Sequence, residues 1–547
     1  MRVLGVCIGH DSSACLVEDG RVVRYAAEER FNRLKVGVNS PIGAFNFALG
    51  DLRIEDLDTI AVSAGISGVI EEHFNVLLKN RSVPWLPVYM SGITHHADDI
   101  SFVDHHLCHA ASGYYTSGYS NALIVSLDGM GEATTHYVAI GEGRSIDPIS
   151  VITDKDIVLR QADGAARARA FRNPQSFSLG WFYGMATEGL GWRIACDEGK
   201  TMGLAPYGDP DVIPDADIRA LMYKRYPEGY YHDAGRVHYH FAGSYGFKAL
   251  ADRYGRENLA ASAQRKLEQK VIPFINKWLK RTGQRNLVTA GGVFQNVKLN
   301  QRIAEECDVD SYWPFPLSSD TGVSIGAALA ESHRRMAGEP YTPERVTNLY
   351  WGPEYSNQEI EALLVRNKLQ YRAYDPDYVA SQLAENRIVA WFRGRMEGGP
   401  RALGSRSILM SPLRAENKDI INAQVKFREG FRPFCPSVTS EAADRYFDGG
   451  GNFMIVACNV RGEAIPAVTH VDGTSRPQFV TRTDNPAFHD LLTRFGGLTG
   501  HPVLINTSLN VMGEPIIRTP DQAIRCFYGV GLDLLVIGDF MLEKAAR

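Results

Sequence analysis

The chain has eight cysteines but no C-x-x-C pair. It also has no apolar run long enough to span a bilayer, no low-complexity tract and no acidic or basic tail. Each absence removes a class of protein. Thiols scattered at Cys7, Cys15, Cys108, Cys196, Cys307, Cys435, Cys458 and Cys526 form neither a disulfide framework nor a zinc knuckle, so they read as reduced and mostly core. The opening apolar stretch is broken by His10 and Asp11 before it reaches signal-peptide length, which predicts a cytoplasmic protein with no membrane partner. A formal net charge of −5 argues against nucleic acid as a partner and favours small-molecule chemistry, while leaving room for a local basic pocket.

What remains is an ordinary folded composition, 44% hydrophobic and 22% charged, in 547 residues. That length exceeds one core and predicts roughly three to four lobes. The segment VLGVCIG reads as a buried strand, followed by a polar turn at His10 and Asp11, a second strand through Ala14 to Val17, an Asp19-Gly20 turn and a third strand. From Ala122 the same pattern returns around a Gly-rich loop at Asp128 to Gly131, so the first part of the chain reads as an internal duplication. Paired loops of this kind resemble the actin/Hsp70/sugar-kinase superfold, in which they face each other across a nucleotide. In LVTAGGVFQN a strand ends at Ala290, Gly291 and Gly292 turn, and a helix begins at about Asn296, leaving backbone N–H groups to meet a nucleotide. A Pro-, Gly- and Asn-rich border near 337–357 precedes a fresh α/β pattern, which divides the chain into 1–345 and 346–547.

Three groups of residues carry the chemistry. In DHHLCHAASGYY, His105 and His109 stand at i and i+4, about 5–6 Å apart at Cβ on one helical face. With Asp320 from the loop SSDTG they offer two imidazoles and a carboxylate, a set suited to Fe(II), with Zn(II) or Mn(II) as alternatives; the competing reading is a set of hydrogen-bonded histidines. His10, with Asp11, sits where an imidazole can take a proton from an alcohol, and Lys200 in DEGKTMGLAPYG can meet an anion beside aromatic walls. Third, GRMEGGPRALGSRSILMSP and NAQVKFREGFRPFCPSV place Arg401, Ser405, Arg406, Lys426, Arg428 and Arg432 among breakers. Arg476, Asn506 and Ser508 come from later loops. Guanidiniums grip phosphate bidentately, so these segments read as a buried anion pocket.

Ten strings in one order, among them GHDSSACL, HHLCHAASGYY, DGMGE, EGKTMGLAPYG, GGVFQN, EGGPRALGSRSIL, KFREGFRPFCPSV and NTSLNVMGEP, resemble the NodU/TobZ/CmcH carbamoyltransferase family over nearly the whole chain. The resemblance implies an actin-like, TsaD-type N-terminal domain and a YrdC-like C-terminal α/β domain. It further implies that ATP with Mg(II) and carbamoyl phosphate form carbamoyl-AMP, and that the carbamoyl group passes to a hydroxyl of a small molecule. Carried over, Arg401, Ser405, Arg406, Lys426, Arg428, Arg432, Arg476, Asn506 and Ser508 hold the anions of activation. His105, His109 and Asp320 bind the metal, His10 with Asp11 and Lys200 acts at the acceptor, and Asp128, Gly129, Gly291, Gly292 and Asn296 form the nucleotide loops. One departure is Phe294-Gln295 where the family has small residues, predicting a reshaped nucleotide or acceptor wall. The missing C-x-x-C fingers count against HypF, the acidic two-domain chain against a tRNA threonylcarbamoyl-transfer enzyme, and the arginine-rich half against an actin-like chaperone. The acceptor stays open, its pocket being assigned to loops such as 65–100 and 145–175, and the chain is expected to be a monomer or homodimer.

Overall fold

The computed structural model describes residues 1–35, 38–39, 41–63, 100–131, 134–153, 178–222, 227–233 and 236–544, in two compact units, Met1–Val346 and Thr347–Arg547. Of the loops assigned to the acceptor, 65–99 and 154–175 lie outside the described residues, while Ser145–Thr153 is a strand.

Two five-stranded sheets build the first unit. One comprises β1 (Arg2–Cys7), β2 (Ser13–Glu18), β3 (Arg21–Ala27), β4 (Thr59–Ser63) and β5 (Ile100–Val103), in the order β3-β2-β1-β4-β5. The other comprises β6 (Asn121–Gly131), β7 (Thr134–Glu142), β8 (Ser145–Thr153), β9 (Asn286–Ala290) and β10 (Ser311–Pro314), in the order β8-β7-β6-β9-β10. In each sheet three strands form an antiparallel meander and two more run parallel to the first. The order and sense are the same in both, which is the duplication read from the sequence and the arrangement the actin-like resemblance implies. Asp19 and Gly20 both take positive φ, the backbone that lets a two-residue turn match the strand twist.

Helices α1 (Ile42–Leu49), α2 (His105–Tyr115), α3 (Leu179–Gly189), α4 (Arg256–Thr282), α5 (Val297–Glu306) and α6 (Val323–Arg335) cover these sheets. Alternation along β1 and β2 sends Leu4, Val6, Ala14 and Leu16 into a core with Ala44, Phe45 and Ala48 of α1. The opposite face of β1 receives α6 at short range: a Cβ on Gly5 would lie 1.9 Å from the Ser324 carbonyl oxygen. Glycine at this position is therefore what admits the helix.

The second unit is an eight-stranded mixed sheet. Its strands are β11 (Arg372–Ala373), β12 (Val389–Phe392), β13 (Arg406–Met410), β14 (Cys435–Thr439), β15 (Gln478–Val480), β16 (Val503–Ser508), β17 (Leu534–Ile537) and β18 (Phe540–Glu543), ordered β11-β18-β17-β12-β13-β16-β14-β15. Continuous apolar strands predict burial on both faces. Val389 and Trp391 enter one core with Leu491 and Phe495, while Ala390 and Phe392 enter another with Ile524 and Phe527. Among the described residues no helix is long and apolar enough to cross a membrane.

Candidate metal centre and arginine cluster

Asp104 caps α2 by accepting from the Leu107 N–H, which sets the first turn and turns His105 and His109 to one side. Their Nε2 atoms lie 3.1 Å apart. Asp128 Oδ2 is 3.3 Å from both, and Asp320 Oδ1 is 3.5 and 3.4 Å from His105 and His109. All four donor atoms lie within 4.8 Å of one another. Ligands about 2.1 Å from one shared ion stand about 3.0–3.4 Å apart, so the residues fit a divalent transition metal held by two imidazoles and two carboxylates.

Asp128 is the member of this cluster that sequence reasoning missed, having been placed in a nucleotide loop. Its other oxygen accepts from the N–H groups of Gly129 (2.7 Å) and Gly292 (3.2 Å), which aims Oδ2 at the histidines. The loop is clamped from the far side by α3, where Ser178 Oγ lies within hydrogen-bond distance of the Asp128 and Gly129 carbonyls and Gly180 packs on the Gly129 backbone. Asp320 is positioned through its neighbour: the Thr321 carbonyl accepts from Ser13 Oγ and Tyr25 Oη, both at 2.8 Å. Gly131 leaves room for the His105 ring, since a Cβ there would stand 2.1 Å from Cδ2.

Burial opposes charge on these imidazoles, but the carboxylates outweigh it, lifting His105 well above the ordinary range and raising His109. Burial likewise opposes charge on the two acids, and the His105 and His109 partners hold both below the usual carboxylate range. His106 behaves oppositely. Burial and its two charged neighbours push it down to about 3. As a neutral ring it donates from Nε2 to the Thr134 carbonyl and accepts the Ser126 hydroxyl at Nδ1. It thus ties α2 to the strands carrying Asp128.

His10 joins the cluster through Asp320 Oδ2 at 3.3 Å and faces Asp11 at 3.9 Å. Burial works against its charge, yet Asp320 and then Asp11 raise it to about 9. Asp11 itself adopts φ of 57°, a left-handed turn that Asp tolerates. The loop after β1 and the end of β6, where the pairing register breaks between Leu127 and Gly131, therefore meet over one site, at equivalent places in the two repeats.

The remaining first-unit candidates are scaffold or lie beside other partners. Gly291 has φ of 94° and sits where a Cβ would be 2.2 Å from the Leu127 carbonyl oxygen, so its role is close approach. The Gly292 N–H is given to Asp128. Asn296 caps α5 through the Leu299 N–H and pairs with Gln264, which occupies the group expected to meet a nucleotide. Phe294 is fully buried and forms core rather than an open wall, while Gln295 is half-buried. Lys200 lies 3.5 Å from Asp197 and near the Trp192 ring.

In the second unit the cations divide into two groups. Arg406 is fully buried over the Phe392 ring, and its guanidinium donates to the carbonyls of Pro353, Arg393, Gly394 and Ser405. Lys426 donates to the Ser508 and Asn510 carbonyls and the Asn510 side chain, and Ser508 Oγ donates to the same side chain. These three, assigned from sequence to anions, tie loops together through these contacts. Ser405 is buried, and its N–H joins those of Leu403 and Arg406 in reaching Glu397 Oε1.

Arg401, Arg428, Arg432 and Arg476 form the second group. Burial pushes Arg401 down to about 9, with Arg476 and Arg432 adding repulsion; burial and then Arg432 do the same to Arg428, also to about 9. Guanidiniums keep their protons, so the depression expresses first the cost of burying the charge and then that of crowding like charges, both of which a bound anion relieves. Arg401 Nε is buried with no hydrogen-bond partner among the described residues. Beneath the cluster, Asn506 donates to the Ala402 carbonyl, Ser437 Oγ and Gln478 Oε1, which fixes the backbone beside Arg401, while its own Oδ1 is unpartnered among the described residues.

The first unit thus brings together two imidazoles and two carboxylates that fit a metal ion, and the second unit gathers four arginines. Residues 77–329 match the carbamoyltransferase N-terminus and residues 380–544 the carbamoyltransferase C-terminus. Nodulation protein NolNO of Sinorhizobium fredii is 33% identical over 98% of this chain and 79% of its own length. Nodulation protein NolO of Bradyrhizobium diazoefficiens is 35% identical over 81% of this chain and 79% of its own. Nodulation protein U of Rhizobium tropici is 29% identical over 97% and 94%. Among solved structures, full-length HypF in its phosphate- and nucleotide-bound form aligns with 62% of this chain and 56% of its own, at 14% identity and a TM-score of 0.34. The chain belongs to the carbamoyltransferase family and is a transferase.

Proposed function

We propose that the protein is a cytoplasmic, ATP-dependent O-carbamoyltransferase acting on a hydroxyl of a small-molecule natural product, as a monomer or homodimer without nucleic acid. Carbamoyl phosphate, water and ATP, with Mg(II), give carbamoyl-AMP, phosphate and pyrophosphate. The acceptor alcohol then takes the carbamoyl group, releasing AMP and a proton. What supports activation in the second unit is the observation that Arg401, Arg428, Arg432 and Arg476 are crowded together with a buried Arg401 Nε left unpaired. Four positive charges of this kind neutralise phosphate oxygens and shield a fragile acyl group from water.

Transfer is assigned to the first unit. There His105, His109, Asp128 and Asp320 would hold the metal, Fe(II) by preference and Zn(II) or Mn(II) otherwise, which when bound supplies Lewis-acid stabilisation of carbonyl or phosphoryl oxygen. His10 would be the base that receives the acceptor proton, in the state where a cation on Asp320 cancels the charge that otherwise raises the ring to about 9 and keeps it protonated. Its contacts with Asp320 and Asp11 orient the ring and stabilise the imidazolium that forms. Lys200 meets the adenylate as a point charge.

The test separates the halves. Purified protein with ATP and carbamoyl phosphate should release pyrophosphate without any acceptor, and Arg401→Ala or Arg432→Ala should remove that release. His105→Ala should keep most of it while abolishing transfer. Equal damage to both reactions by His105→Ala overturns the division.

A further inference from the structure

Cys435 opens β14 inside the arginine cluster. The guanidinium of Arg476 donates to its Sγ from both Nε (3.2 Å) and Nη2 (2.9 Å). The thiol is 7% exposed, and its partial charge is also felt by Arg401 and Arg428. A planar fork that grips one atom along its Nε–Nη2 edge is fixed in plane and direction, leaving the Nη1 side for an anion.

The register independently orients this pair toward a ligand. Cys435 stands directly opposite Asn506 on β16, so both side chains project from one face of the sheet, the face that also carries Ser437 two residues on. Asn506 is 2% exposed with an Oδ1 that lacks a partner among the described residues. An unsatisfied acceptor at that depth is costly unless a ligand completes it. Cys435 therefore bonds the Arg476 guanidinium and stands across the strand pair from a residue whose buried oxygen has no partner among the described residues.

We infer that Cys435 is a positioning residue for the carbamoyl donor: its sulfur holds Arg476 in the orientation that receives the phosphate of carbamoyl phosphate. The inference rests on the activation reading of this cluster. It makes the chemistry of the acceptor atom, rather than its size, the quantity that matters. Alanine removes the acceptor with little change in volume, and serine restores an acceptor in a similar volume while introducing a more polar group.

The measurement is acceptor-independent pyrophosphate release at varied carbamoyl phosphate and fixed, saturating ATP. Cys435→Ala should raise KM for carbamoyl phosphate about 5- to 20-fold with kcat within about 2-fold, the range a single reoriented charge-assisted contact spans. Cys435→Ser should recover most of that loss. In the Arg476→Ala background, Cys435→Ala should add less than about 2-fold, because the sulfur then has nothing to orient. Serine no better than alanine, or full additivity of the two alanines, overturns the inference and assigns Cys435 to packing. Should the unsubstituted protein release no pyrophosphate, the activation reading itself fails, and that outcome is distinct from either variant result.

Discussion

Gly326 of α6 lies against Cys108 of α2 so closely that a Cβ at 326 would stand 1.7 Å from the Cys108 carbonyl oxygen. That approach sets the metal centre. Helix α2 carries both histidines, and α6 begins directly after the Asp320–Gly322 turn. Gly326→Ala must push the helices apart, at a cost of about 1–3 kcal/mol for overpacking. It should therefore lower the melting temperature and reduce metal content together, as read by thermal unfolding and elemental analysis of the same preparation.

Asp128→Asn tests the ligand that the sequence concealed. An amide at 128 still offers an oxygen to the Gly129 and Gly292 N–H groups, so the loop should keep its shape. The group turned to His105 and His109 then becomes a neutral N–H donor that cannot ligate. Metal affinity should fall by more than about 100-fold, beyond the loss typical of an outer-shell change, with the circular dichroism spectrum unchanged. Retained stoichiometric metal would restrict the ligand set to His105, His109 and Asp320.

Metal uptake should also move protons. In the metal-free protein burial is outweighed by Asp320 and Asp128, so His105 and His109 hold protons at pH values where free imidazole has lost them. Ligation needs the neutral rings. Apparent affinity should therefore rise as pH increases through and above 7, and binding should release protons, seen as a dependence of calorimetric enthalpy on the ionisation enthalpy of the buffer. Enthalpy independent of buffer would mean that the rings are already neutral.

Much of this arrangement was legible because it depends on spacing. The repeated strand-turn-strand pattern fixed both meanders of the first unit, and the i, i+4 histidines fixed one edge of the metal site. Asp128 was not read as a ligand because a DG turn after a strand fits a phosphate loop equally well, and only the Gly292 N–H from a distant turn reveals which way the carboxylate faces. The same limit separated Arg401 from Arg406. Sequence counts charges, whereas burial under Phe392 and four carbonyl acceptors decides that Arg406 is a structural tie. Phe294 was misplaced for a related reason: a large side chain in a small-residue string can fill core as well as line a pocket.

Those two arginines should respond to substitution in opposite ways. Arg406→Ala leaves carbonyls of Pro353, Arg393, Gly394 and Ser405 without their donor in a fully buried setting, which should cost about 3 kcal/mol or more and lower the melting temperature of the protein. Arg401→Ala removes one of four mutually repelling cations, and the unpaired Nε means little is lost in return. Its melting temperature should hold or rise, while carbamoyl phosphate-dependent pyrophosphate release disappears. That combination of gained stability and lost activity marks charge crowded for a ligand rather than for the fold. A clear fall in melting temperature for Arg401→Ala, matching that of Arg406→Ala, would mean that both arginines serve the architecture and that the anion is bound elsewhere.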